Sequence, residues 1–156
     1  GMSEVVYRLL RITSPDSLFM GQKDFQQFSI IRKLITDFQM PIQLVMCPTV
    51  REANGLAMSS RNVRLSPEAR DKAGVIFNIL TSGKMLFEQK TPAKYVQDIA
   101  LDALRKVNFD PEYFEVVNGY TLEPVQHMED AEQIVACCAV KVEGVRLIDN
   151  MIWKEE

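Results

Sequence analysis

Between Glu4 and Met46 the apolar positions alternate between helical spacing and short unbroken runs. Val5, Val6, Leu9, Leu10 and Ile12 predict a helix over Glu4–Ile12 with one apolar side. Ser14-Pro15-Asp16 ends it, because a proline disfavours helix at the residue before it. Ser17–Met20 predicts a short buried strand, and Gly21–Asp24 a turn. Phe25, Phe28, Ile31, Leu34, Ile35 and Phe38 recur at helical spacing and predict a second helix from about Asp24 to Phe38. Met40-Pro41 stops it, and Ile42–Met46 predicts a second strand. Strand, helix and strand with short links are the grammar of a parallel sheet with a crossover helix. Such sheets are covered on both faces and normally have more strands. The opening therefore reads as the tail of a larger α/β domain.

The rest of the chain has another texture. Ser66 is placed as an N-cap and Pro67 at the first helical position. The helix they start is predicted to run to about Gln89, with Ala73, Ile76, Phe77, Leu80, Leu86 and Phe87 inward and Gly83 as a weak point. Thr91-Pro92 starts a further helix to about Lys106, with Tyr95, Val96, Ile99, Leu101 and Leu104 apolar. Asp110-Pro111 reads as a turn. Glu112–Asn118 predicts a strand with Phe114 and Val116 on one face. After a loop over Thr121–Asp130, Ile134–Val142 and Val145–Asp149 predict strands joined by a tight hairpin at Glu143-Gly144. This half reads as α+β, two helices on a small, mostly antiparallel sheet. The division falls at residues 1–48 and 49–156.

Composition narrows the class. With 47% hydrophobic and 25% charged residues, 156 residues can build a real core. A net charge of −3 argues against a general nucleic-acid binder. No apolar run approaches the roughly 20 residues that span a bilayer, and no signal peptide is visible after Gly1, itself a native residue or a cloning remnant. The cysteines, Cys47, Cys137 and Cys138, have no paired spacing, and the only histidine is His127. That disfavours a zinc site. It suggests reduced, packed thiols in a cytoplasmic protein, with Cys137 and Cys138 on opposite faces of a strand. His127 reads as a structural or surface histidine.

Two stretches carry candidate chemistry. PTVREANGLAMSSRN, Pro48–Asn62, puts Ser59, Ser60 and Arg61 in a row after an Asn54-Gly55 turn, with Arg51 upstream. Hydroxyls, backbone N–H groups and a planar guanidinium suit a polyphosphate. The same stretch also reads as a solvated linker with an ordinary turn. FMGQKDFQQ, Phe19–Gln27, crosses from strand to helix, where ligands sit in open α/β sheets. Gly21 admits close approach, Lys23 suits phosphate, Asp24 suits sugar hydroxyls, and Gln27 both donates and accepts. Equally, this is a polar helix start with Asp24 as N-cap.

Taken together, FMGQKDFQQ and PTVREANGLAMSSRNVRLSPEAR closely resemble the pantoate-beta-alanine ligase family. The resemblance continues through YFEVVNGYTLEPV at Tyr113–Val125 and VRLIDNM at Val145–Met151, so it covers nearly the whole chain. It implies the C-terminal part of a Rossmann-like nucleotidyltransferase domain followed by a small lid domain, hinged near Pro48–Val50. It implies ATP-dependent condensation of pantoate and β-alanine to pantothenate through pantoyl adenylate. Magnesium accompanies the ATP, no tightly bound cofactor is expected, and the full enzyme is expected to be a homodimer. AMSSRN is similar to the superfamily's mobile phosphate loop.

By position, the resemblance assigns Lys23 and Arg61 catalytic contacts to the ATP phosphates. Ser59 and Ser60 grip the same phosphates. Gly21 and Asp24 lie at the ribose, Val50 and Met58 near the adenine, and Gln27 at pantoate. Asn54 departs from the aspartate common in the family. The larger departure is the family's HxGH motif, which a chain with its one histidine at position 127 lacks. These residues are therefore expected to be the C-terminal half, with little ligase activity by themselves. The competing reading is a non-catalytic nucleotide-binding or subunit-assembly module.

Overall fold

Leu10, Ile31, Leu34 and Ile35 form one small core, and Leu80, Val96, Phe114, Val140 and Trp153 belong to another. In the computed structural model, which describes residues 1–155, these cores lie in separate units, Gly1–Thr49 and Val50–Glu156.

The first unit follows the predicted order: helix α1 (Met2–Thr13), strand β1 (Ser17–Gly21), helix α2 (Phe25–Asp37) and strand β2 (Gln43–Cys47). The strands pair in parallel from Ser17 opposite Gln43 to Gly21 opposite Cys47, with α2 as their connection. Leu18 and Met20 pack against the helices, while Phe19 between them is exposed, the two-residue alternation of a strand. α1 differs from expectation. It turns Val6, Tyr7 and Leu10 inward and leaves Val5, Leu9 and Ile12 exposed. Phe38 lies one residue past α2, outside the core, with its ring 4.7 Å from that of Tyr7.

The second unit packs helices α3 (Pro67–Lys72), α4 (Val75–Glu88) and α5 (Ala93–Lys106) with a sheet of order β3-β4-β5. Its strands are β3 (Asp110–Asn118), β4 (Ile134–Val142) and β5 (Val145–Lys154), all antiparallel. The β4–β5 hairpin turns at Glu143 and Gly144, both with positive φ, as a two-residue loop of right-twisted strands requires. Ser66 caps α3 by accepting the Ala69 N–H at 3.1 Å. Glu143, at the hairpin tip, accepts both the Ser66 N–H and its hydroxyl at 2.8 Å.

Three expectations are corrected here. The helix predicted from Ser66 to Gln89 is two helices. Asn54 causes the break: its Nδ2 donates to the carbonyls of Arg70 and Asp71, both at 2.9 Å. A side chain inserted into the i→i−4 ladder diverts the helix. Gly74 then bonds back to Asp71 instead, and a Cβ on Gly74 would collide with the Asn54 carbonyl. Next, Asp110-Pro111 opens β3 rather than forming a turn, with an irregularity between Pro111 and Tyr113. Finally, α5 buries Ala93, Val96, Ala100 and Leu104, leaving Tyr95 and Ile99 64% and 52% exposed. Small alanines let α5 approach its neighbours closely, and that won over hydrophobicity.

Gly83 is not a weak point but a close approach. A Cβ there would stand 2.9 Å from Trp153 Cζ2 and 3.2 Å from Val96 Cγ1. Alanine gains about 1 kcal/mol of helix propensity, yet overpacking costs roughly 1–3 kcal/mol. Gly83→Ala should therefore destabilise the chain by about 1 kcal/mol in urea unfolding and shift the emission of Trp153, the only tryptophan; a gain in stability would contradict this packing.

Candidate active site

The first cluster stands at the carboxyl end of the parallel pair. Gly21 closes β1, a 3-10 turn covers Gln22–Asp24, and α2 begins at Phe25. Gly21, Asp24 and Gln27 are exposed and Lys23 is half-buried. Among the described residues, nothing beyond Gly21 itself and its two chain neighbours lies within 4 Å of where a Gly21 Cβ would be, so the backbone there is open. Asp24 occupies the N-cap of α2, yet its carboxylate makes no capping hydrogen bond. The helix start presents N–H groups and the positive end of its dipole.

The second cluster is a loop from Val50 to Arg64. Arg51 and Ala57 form an isolated antiparallel bridge, closed by a turn in which the Gly55 N–H reaches the Glu52 carbonyl at 2.9 Å. Gly55 has φ +94, and Phe77 Cδ1 would lie 3.0 Å from a Cβ there, so the position suits glycine alone. Above the bridge, the Met58 N–H donates to the Val50 carbonyl at 2.9 Å. Val50 and Met58 therefore face each other across the pair, and both are exposed. Ser59 caps the 3-10 turn Ser60–Arg64 by accepting the Arg61 N–H at 3.2 Å. Ser60, Arg61 and Met58 are exposed.

Arg51, one of two basic groups singled out in this stretch, is spent on structure. Its guanidinium takes both oxygens of Asp149, at 2.6 and 3.0 Å, and the Gly55 carbonyl at 3.0 Å. It lies over the Phe77 ring, 4.0 Å from the centroid. The two side chains are only 18% and 4% exposed. Sequence reasoning missed Asp149 as its partner, although an aspartate inside VRLIDNM is a charge in an apolar strand and calls for one. Arg61 keeps only a 3.5 Å approach to the Arg146 carbonyl.

Glu52 makes a second anchor. It accepts from Arg70 Nε and Nη2, both at 2.9 Å, and from Asn62 Nδ2 at 2.7 Å. The Arg70 hydrogen bond, then that of Asn62, hold its carboxyl below the usual range. The cysteines take no part. All three are free, and burial pushes Cys137 up to about 12 and Cys138 upward as well, which makes both poor nucleophiles. His127 sits at a loop turn where Asp130 accepts the N–H groups of Gln126 and His127 at 2.7 and 2.9 Å. Among the described residues no group of three or more metal-ligating side chains occurs, and no helix is long and apolar enough to cross a membrane. The first cluster belongs to the first unit and the second cluster to the second.

The fold is thus an α/β unit with a two-stranded parallel sheet followed by an α+β unit with a three-stranded antiparallel sheet. The pantothenate synthetase of Thermus thermophilus has it too: it superposes with a TM-score of 0.89 at 35% identity, over 99% of this chain and 55% of that one. The family model for pantoate-beta-alanine ligase matches residues 1–152, and the chain belongs to that family. The pantothenate synthetase of Azobacteroides pseudotrichonymphae is 38% identical over 98% of this chain and 55% of its own length. That of Porphyromonas gingivalis is 36% identical over 99% and 55%. The pantoate-beta-alanine ligase of Francisella tularensis, solved with beta-gamma ATP and beta-alanine, gives a TM-score of 0.69 at 29% identity, over 98% of this chain and 49% of that one. The chain thus spans about half the length of the relatives it matches.

Two outcomes follow from the anchors. Arg51→Ala leaves a buried carboxylate unpaired, so it should cost about 3 kcal/mol in chemical denaturation, and a loss below about 0.5 kcal/mol would remove the pair from this role. Glu52, with its folded pKa depressed, contributes fully above the ordinary glutamate value of about 4.3 and loses that contribution as pH falls through the lowered value. Stability of Glu52→Gln should therefore fall less steeply below about pH 4.3 than that of the unaltered chain.

Proposed function

We propose that these residues are the C-terminal half of a cytoplasmic, ATP-dependent pantoate-beta-alanine ligase. The observation that carries this is the coincidence of a family match along residues 1–152 with two exposed clusters of the right chemistry. In the reaction, a pantoate carboxylate oxygen attacks the α-phosphorus of ATP and the bond to pyrophosphate breaks. The β-alanine amine then attacks the acyl carbon of pantoyl adenylate, loses a proton, and AMP leaves with the bonding electrons.

Each residue has a part in this. Gln27 holds the pantoate hydroxyl and carboxylate, and its exposed amide can both donate and accept. Gly21 and Asp24 take the ribose, Asp24 with a carboxylate not committed to capping. Val50 and Met58, exposed and joined by the Met58 N–H to Val50 carbonyl bond, offer backbone groups to the adenine. Lys23, Ser59, Ser60 and Arg61 bind the phosphates, and the two cations stabilise charge growing on pyrophosphate as it leaves. Magnesium enters with ATP as part of the substrate. Closure of the lid domain, residues 49–156, about Pro48–Val50 excludes water from the adenylate, and the whole enzyme works as a homodimer on small molecules rather than nucleic acid.

Pyrophosphate release tests this directly. In a full-length enzyme carrying this sequence as its second half, Arg61→Ala should slow release by about a hundredfold, the scale of one lost charge-stabilising donor. An unchanged rate removes Arg61 from the reaction. The 156-residue chain alone should release almost none; near full-length rates from it would overturn the division of labour.

A further inference from the structure

Met58, Ser59, Ser60 and Arg61 are strung between two residues that one side chain ties together. Asn62 Nδ2 donates to the Ala57 carbonyl, five residues back, at 3.1 Å, and to Glu52 Oε1 at 2.7 Å. The Asn62 backbone N–H meanwhile bonds the Ser59 carbonyl at 3.0 Å. The amide is oriented from below, because Arg70 holds Glu52 through both Nε and Nη2. Asn62 is only 1% exposed, and its Oδ1 is buried with no hydrogen-bond partner. An unmet buried acceptor costs stability. An apolar residue of the same shape would avoid that cost if filling the core were the whole task. What such a residue cannot do is grip Ala57 and Glu52 at once.

We infer that Asn62, oriented by the Glu52–Arg70 pair, is a positioning residue that pre-sets the Ser59–Arg61 segment for the phosphate chain of a nucleotide. The inference rests on the phosphate reading proposed above. It adds that this segment is ordered before ligand arrives, so little conformational freedom is left to lose on binding. The hydroxyl of Ser59, the exposed hydroxyl of Ser60 and the guanidinium of Arg61 then stand on a short turn fixed at both ends.

Two readouts on the 156-residue chain test it. One is amide exchange at Arg61 and Asn62, and the other is inorganic pyrophosphate titrated against the amide resonances of Ser59, Ser60 and Arg61. Asn62→Asp keeps the shape and removes the donor. It should speed exchange at those amides by tenfold or more and weaken pyrophosphate tenfold or more, while amides in the middle of β4 and β5 stay protected. Glu52→Gln keeps an acceptor for Asn62 and loses the charge, so a smaller change of about threefold in both is expected. It also decides the matter if Asn62→Asp does not fold. Unchanged exchange and affinity in the folded variants overturn the positioning role and leave the phosphate reading standing. A rise in exchange spread evenly over the sheet overturns it too, as a general loss of stability. No response of Ser59–Arg61 to pyrophosphate in the unaltered chain overturns the phosphate reading itself, and the positioning role with it.

Discussion

The second unit depends on a guanidinium that has left solvent. Arg51 gives its planar fork to Asp149 and its face to Phe77, and the same group reaches the Gly55 carbonyl. A carboxylate as buried as Asp149 is tolerable only with such a partner. Once the pair is made, the start of the loop is fixed to β5, the turn at Gly55 is fixed to Phe77 on α4, and the loop has no freedom to lie elsewhere. With Arg51 committed to structure, Arg61 and Arg64 are the exposed cations of the loop among the described residues.

Around that anchor lies a second layer in which a turn and a helix shape each other. Asn54 makes the turn, with its Oδ1 accepting the Leu56 N–H at 3.1 Å, and with its Nδ2 it takes two carbonyls at the end of α3. An aspartate could accept the Leu56 N–H but has nothing to donate to Arg70 and Asp71. The asparagine is thus more than a turn former in this chain. It sets where α3 stops and where α4 sets off, and α4 carries the Phe77 ring on which Arg51 lies.

The elements were legible where local rules acted alone. Periodicity located both strands and both helices of the first unit, Ser66-Pro67 marked a helix start, and Glu143-Gly144 marked a hairpin. Legibility failed where a distant group decided. Nothing near Gly74 announces that Asn54 will enter the helix ladder, and nothing near Gly83 announces Trp153. The inward face of α5 was misread because Ala93 and Ala100 count little on a hydrophobicity scale and much in close packing. At the candidate site, residue types were readable as donors and cations. Their support was not, since Glu52, Asn62 and Arg70 are ordinary polar residues until the fold brings them together.

The loop's ties span very different lengths of chain. Asn54 and Glu52 reach partners 16 to 18 residues away, whereas Arg51 waits for one 98 residues on. Closing a long stretch is entropically dearer, and distant pairings form late. The turn and α3 can therefore organise while the remainder is still being made, but the guanidinium finds its carboxylate only once β5 has joined the sheet. The tie between Arg51 and Asp149 is thus a far longer closure than those of Asn54 and Glu52. A chain halted before β5 would hold its hydroxyls and arginines on a loop without its chief restraint, so the order of the loop waits on β5.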